Sequence, residues 1–220
     1  MSMKKITIIT GHYGSGKTNF AANLAVCSAE KGERITVADL DIVNPYFRSA
    51  DFAELFKRHN IKLAAPESAN SNLDIPALSF DPESLTEDCD NLIIDVGGDD
   101  AGATALGRYH FQLTAQNPKF KIEMLYVINM YRHHTRTADD ALKLMYEIEA
   151  ASRLKHTGIV NNSHLSHETA AETILSSVPF ADETAEKSGL PIVYTTVLRE
   201  VAIDVKNPFP VEIYVKKIWE

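Results

Sequence analysis

The sequence predicts an α/β fold: a three-layer, doubly wound, mostly parallel sheet in a single domain spanning residues 1–220. Two observations predict it. Short runs rich in β-branched residues alternate with stretches of helical periodicity, the pattern of successive βαβ units. Several of those runs, Leu92-Ile93-Ile94 and Leu125-Tyr126-Val127-Ile128 among them, are apolar at nearly every position, as strands are when helices cover both faces of their sheet.

In chain order, strands are expected at 4–10, 34–39, 91–96, 122–129, 157–161 and 191–195. Residues 17–31 place Phe20, Leu24 and Cys27 on one helical face and stop at Gly32, a left-handed cap. Residues 136–154 carry Ala138, Ala141, Leu142, Met145, Ile148 and Ala151 at helical spacing, with Thr137 and Asp140 placed to box the start. The stretch 60–90 is the least regular, with three prolines and no long periodic run. At the C-terminal end, Val211, Tyr214, Val215, Ile218 and Trp219 with Lys216 and Lys217 suggest a short helix packed back on the domain rather than a membrane contact. There is no internal repeat, low-complexity tract or linker, hence the single domain.

Composition narrows the function. Lys and Arg number 22 against 30 Asp and Glu, a net charge of −8, so no nucleic-acid partner is expected. A hydrophobic content of 45% and a charged content of 24% exclude extended disorder. The only cysteines, Cys27 and Cys89, exclude a disulfide framework and a CxxC metal or redox site. No run approaches the roughly 18 apolar residues of a membrane span, and Ile6–Thr10 is too short and too polar for a signal-peptide core. A cytoplasmic protein without a membrane span is expected.

Chemistry enters at Gly11-His12-Tyr13-Gly14-Ser15-Gly16-Lys17-Thr18, which fits G-x-x-x-x-G-K-[ST] in full and sits between an apolar strand and a helix. Glycines let the backbone curl so that successive N–H groups converge on phosphate oxygens at the positive end of helix 17–31. Lys17 would bridge the β- and γ-phosphates, and the Thr18 hydroxyl would ligate Mg²⁺. A second Mg²⁺ anchor is Asp95, which follows the apolar run 92–94. Gly98, three residues later, can sense the γ-phosphate through its N–H. Asp39 and Asp41 end the strand 34–39 and so lie at the same sheet edge, where one carboxylate can hold Mg²⁺ through its water shell and the other can orient a water.

With these elements in place the sequence resembles the MinD/ParA group of P-loop ATPases. This deviant Walker-A branch also holds metal-centre chaperones and the nucleotide-binding domains of cobyrinate and dethiobiotin synthesis enzymes. The resemblance is carried by the phosphate loop, the D-x-D at 39–41, Asp95-x-x-Gly98 and Gly158-Ile159-Val160-Asn161. It implies a P-loop NTPase fold with ATP as ligand and Mg²⁺ as cofactor. It places Asp41 on the water-orienting switch I position, Asp39 on the outer Mg²⁺ carboxylate and Asn161 on the asparagine that reads adenine. The nucleotide-binding set then runs Gly11, His12, Tyr13, Gly14, Ser15, Gly16, Lys17, Thr18, Asn19 and Asn161, with Lys17 and Asp41 catalytic and Thr18, Asp39 and Asp95 on the metal. No N-K-x-D guanine motif occurs, which favours ATP over GTP.

The resemblance also implies a nucleotide-driven switch or chaperone acting on a protein partner, with an ATP-dependent homodimer. In the family the second loop position is a lysine that reaches across that dimer. Here it is His12, followed by Tyr13 in place of a glycine, and Arg48, Arg132 and Arg136 are the candidate replacement cations. A neighbouring phosphate favours the protonated form of such a histidine. Two other readings stand beside the switch: a kinase or ligase acting on a small carboxylate, and a nucleotide-sensing module without useful catalysis. Residues 129–137 follow a strand directly and are dense in donors, which suits a partner or a phosphate-bearing ligand as well as a solvated loop with helix caps. The pairs His133–His134 and His164–His167 lack cysteine or carboxylate partners and do not predict a second metal. Asp99 and Asp100 are expected in the switch after Gly98.

Overall fold

A computed structural model describes residues 4–40, 49–64, 81–98, 100–114 and 120–214. The strands are β1 (Lys4–Gly11), β2 (Ile35–Asp39), β3 (Lys62–Ala64), β4 (Asn91–Asp95), β5 (Phe120–Ile128), β6 (Gly158–Asn161), β7 (Ile192–Leu198) and β8 (Pro208–Val211). The helices are α1 (Lys17–Glu30), α2 (Ser49–Arg58), α3 (Pro82–Thr86), α4 (Asp100–Arg108), α5 (His110–Thr114), α6 (Ala138–Ser152) and α7 (Ala171–Ser188). The strands form one sheet in the order β3-β2-β4-β1-β5-β6-β7-β8. Every described pairing is parallel.

All six expected strands are present, as are both expected helices. α1 ends before Gly32, whose φ of 87° is the left-handed conformation expected of it. α6 is capped by Thr137, whose hydroxyl accepts from the Asp140 N–H at 3.2 Å and donates to its carboxylate at 2.6 Å. Consecutive residues Ile8 and Ile9 are fully buried in different clusters on opposite faces of the sheet. One face packs against α1 and α2 through Phe20, Leu24, Phe52 and Phe56. The other packs against α4, α6 and α7 through Leu106, Met145 and Phe180. This two-sided burial is what the continuous apolar strands required.

The C-terminal expectation is corrected over 211–214. Val211 closes β8, a parallel edge strand, and residues 212–214 are not helical. They dock on α1: Asn19 Nδ2 and Asn23 Nδ2 both donate to the Glu212 carbonyl, at 2.9 and 2.8 Å, and the Tyr214 N–H donates to Asn19 Oδ1 at 2.8 Å. Val215, Lys216, Lys217, Ile218 and Trp219 lie outside the described residues. Among the described residues no helix is long and apolar enough to cross a membrane.

Candidate functional site

β1 is flanked by β4 and β5, with Ile9 opposite Asp95 and Gly11 opposite Val127, so the chain leaves the sheet at its carboxyl edge. The turn that follows uses backbone open to glycine: φ is 149° at Gly11, 74° at Gly14 and 88° at Gly16. Gly16 caps α1 without a side chain, so the first N–H groups of the helix face the loop. Ser15 is 1% exposed, and its buried hydroxyl has no hydrogen-bond partner among the described residues. Lys17 is 7% exposed and folds inward, its Nζ donating to the His12 carbonyl at 3.2 Å. The start of α1 without a side-chain cap, an unsatisfied hydroxyl and an inward ammonium together suit a polyphosphate.

The segment after β4 touches this loop. The Tyr13 N–H donates to the Gly98 carbonyl at 3.1 Å, and a Cβ on Gly98 would lie 2.6 Å from both Lys17 Nζ and Tyr13 N. Asp95 and Asp39, at the ends of β4 and β2, are register partners, the first buried and the second half-buried. With the half-buried Thr18 in the first turn of α1, the donors at this edge are hard oxygens. No group of three or more His, Cys, Asp and Glu suited to a metal occurs among the described residues. Hard oxygen donors of this kind suit a cation such as Mg²⁺, which takes one or two carboxylates and completes its shell with water and phosphate. Asp41, Arg48 and Asp99 lie outside the described residues. Asp100 is exposed at the start of α4.

On the other flank, the two adjacent asparagines after Val160 separate. Asn161 is 1% exposed, donates through Nδ2 to Ser177 Oγ at 2.9 Å and accepts from the Ser163 N–H at 3.3 Å, so its amide is engaged with α7. Asn162 instead reaches the phosphate loop, donating to the Ser15 carbonyl at 2.7 Å and accepting from Thr196 Oγ1 at 2.7 Å. Its amide lies so close to Gly16 that a Cβ there would have no room. Asn19 is likewise turned away from the loop by its bonds to 212–214. Asn162 was not singled out from the sequence. The available signal was the Asn-Asn-Ser run at a strand's carboxyl end, where alternation sends neighbours to opposite faces.

Residues 129–136 form the outer wall. Asn129, fully buried, fixes their path: its carbonyl accepts from the Arg132 N–H at 3.2 Å and Thr135 Oγ1 at 2.7 Å, and its Oδ1 accepts from the Tyr131 N–H at 3.0 Å. Tyr131 is pinned through its hydroxyl to the Thr173 carbonyl at 2.7 Å. The exposed Arg132 side chain lies over the loop, its Nε 3.6 Å from where a Cβ on Gly14 would be. His12 turns toward its own chain, its ring 5.2 Å from that of His134 at 75°. Burial, His134 and Lys17 push the His12 pKa below its ordinary value. His164, whose Nδ1 accepts from the Ser166 N–H at 3.0 Å, is pushed down to about 4 by burial and then by Arg132. A cleft of about 470 Å³ beside the loop is lined by His12, His133, His134, Asp140, Lys143 and Glu147.

A family model described as the CobQ/CobB/MinD/ParA nucleotide binding domain matches residues 6–188. A tyrosine-protein kinase of Bacillus subtilis (strain 168), YwqD, is 32% identical over 81 residues, covering 33% of this chain and 34% of the kinase. Two solved structures share the fold at low identity. The cell division protein FtsY of Thermotoga maritima has a TM-score of 0.56 and 18% identity, covering 90% of this chain and 63% of that one. The signal recognition particle 54 kDa protein of Aeropyrum pernix, solved in complex with GDP, has a TM-score of 0.54 and 16% identity, covering 92% and 42%. The chain thus spans about a third of the kinase and less than two thirds of either structural relative.

Proposed function

The chain belongs to the CobQ/CobB/MinD/ParA nucleotide-binding domain family, a P-loop α/β fold, and from that premise we propose that it is a Mg²⁺-dependent ATPase whose bound nucleotide sets the state of a protein partner. The observation that carries this reading is the contact between Gly98 and the phosphate loop. The segment following the metal-edge strand is hydrogen-bonded to Tyr13 and packed against Lys17, so a γ-phosphate entering the loop is felt at once by the chain leading into α4. Lys17 would neutralise phosphate charge, Thr18 and Asp95 would hold Mg²⁺, and Asp39 would order its water shell. Asp41 orients the attacking water by family likeness. Mg²⁺, when bound, would neutralise phosphate charge.

ATP rather than GTP is favoured because no guanine-reading N-K-x-D is present. The base contact expected at Asn161 is better supported at the neighbouring ends of β6 and β7, where Asn162 and Thr196 meet the loop. Calorimetric titration with Mg²⁺-ATP and Mg²⁺-GTP tests the reading. Lys17→Ala is expected to abolish binding, whereas Asp41→Asn keeps binding and stops turnover. Turnover retained in Asp41→Asn would remove the water-orienting role.

One observation favours a second reading. The cleft lined by His12, His133, His134, Lys143, Asp140 and Glu147 opens beside the phosphate loop, and its volume is in the range of a small-molecule site. Phosphoryl transfer to a small carboxylate bound there would make ATP consumption strictly dependent on that acid, and basal hydrolysis without it would count against this alternative.

A further inference from the structure

The position whose residue would reach a partner subunit is occupied by His12, and His12 packs edge-on against His134, 5.2 Å between rings. Among the described residues, a guanidinium also lies over the loop. Arg132 lies with Nε 3.6 Å, Cδ 3.8 Å and Cζ 4.0 Å from the Cβ position of Gly14. Gly14 carries φ 74° in the stretch whose N–H groups cradle phosphate. Arg132 also lies near enough to His164 to help lower its pKa, after burial.

Arg132 is also prepared for such a role. Its backbone is held on both sides, the N–H donating to Asn129 O at 3.2 Å and the carbonyl accepting from the Thr135 N–H at 3.1 Å. The preceding Tyr131 is anchored to α7. The side chain is exposed and forms no ion pair among the described residues. A planar guanidinium with several donors on a rigid turn is the group best suited to bind two phosphate oxygens at once.

We propose that Arg132 is the charge-stabilising cation of this phosphate site, supplied in cis, so that the chain completes its catalytic centre without a second copy. This rests on the ATPase reading above. In the reaction, a water oxygen bonds to the γ-phosphorus as the bond to the β–γ bridging oxygen breaks. ADP leaves, and the proton of water passes to inorganic phosphate. Arg132 bonds the oxygens that gain charge as that bond lengthens, and is therefore needed more in the transition state than in either bound ground state.

The test uses the full chain with Arg132→Ala and Arg132→Lys, both expected to melt like the parent because only side-chain atoms beyond an intact turn are changed. Expected are an ADP affinity within about threefold of the parent and turnover lower by at least about 100-fold in the alanine variant, with lysine rescuing only part. Binding of ADP with aluminium fluoride, which mimics the transferring phosphoryl group, should weaken by a similar factor, giving a readout besides turnover. In the parent, turnover per chain should not change with protein concentration, and light scattering should report one copy under Mg²⁺-ATP. Unchanged turnover and fluoride-complex binding in Arg132→Ala overturn the inference while leaving the ATPase reading intact. Turnover that rises with concentration overturns the cis assignment. A parent that binds no nucleotide overturns both.

Discussion

Asp39 and Asp95 stand opposite one another on the adjacent parallel strands β2 and β4, each the last residue of its strand. Adjacent strands lie roughly 4.8 Å apart, so two carboxylates share one edge facing the phosphate loop. Like charges at this spacing are tolerable where a divalent cation joins them. Mg²⁺ is therefore expected to tighten ATP binding strongly in the parent and little in Asp95→Asn, with Asp39→Asn intermediate because its contact runs through water. Titrating ATP with Mg²⁺ and then with excess EDTA checks this. An Asp95→Asn protein that keeps the full Mg²⁺ effect would move the metal elsewhere.

Gly98 offers a sharper test of the switch. A Cβ there would stand 2.6 Å from Lys17 Nζ and from Tyr13 N, closer than real Cβ contacts allow, so Gly98→Ala must push the segment off the loop. The expected result is loss of discrimination between ATP and ADP. ADP affinity stays within a few-fold of the parent, whereas ATP, if its γ-phosphate takes the Gly98 N–H as proposed, loses about tenfold or more, the worth of one charge-assisted bond. Equal losses for both nucleotides would mean that Gly98 only shapes the loop.

The sequence carries the nucleotide edge of this fold far better than its distal edge. Glycine spacing and a strand–loop–helix context predict Gly11–Thr18, because that backbone admits few residues at φ of 74° and 88°. α7 escapes notice because its inward positions include Ser177 and Thr184, whose hydroxyls bond back to Ile174 and Phe180 carbonyls, and because Pro179 lies inside it. β8 is hidden by Pro208 and Pro210, tolerated because they lie on the exposed alternate positions of an edge strand while Phe209 and Val211 point inward. The choice between Asn161 and Asn162 turns on a one-residue register that a single sequence does not fix.

That choice is measurable. Asn161→Ala removes bonds to Ser177 and to the Ser163 N–H inside the protein. It is expected to cost about 1–2 kcal/mol of stability and leave ATP affinity within about threefold of the parent. Asn162→Ala releases the Ser15 carbonyl and Thr196 hydroxyl at the loop, so ATP affinity should fall about tenfold or more, with a comparable stability loss. Denaturant titrations paired with calorimetry separate the two. The reverse pattern would return the base contact to Asn161.

Stability should also depend on pH through His156. This residue, 4% exposed, lies between Thr10, whose Oγ1 is 2.8 Å from Nε2, and Glu149, whose Oε1 is 3.2 Å from Nδ1. Burial pushes its pKa down to about 4, against the pull of the Glu149 carboxylate and with a small push from Lys155. His164 is also pushed down to about 4. The unfolded chain takes up these protons near pH 6.5, whereas the folded chain does not until about pH 4. Unfolding is therefore favoured progressively as pH falls between those values, by about 2 kcal/mol or more from His156 alone. Glu149, whose pKa is lowered by Lys155 and His156 despite its burial, adds its own loss only below the ordinary carboxylate range. Denaturant midpoints between pH 7.5 and 4.5, without nucleotide, should fall with acid in the parent and flatten in His156→Gln. An identical slope in that variant would assign the acid sensitivity to other groups.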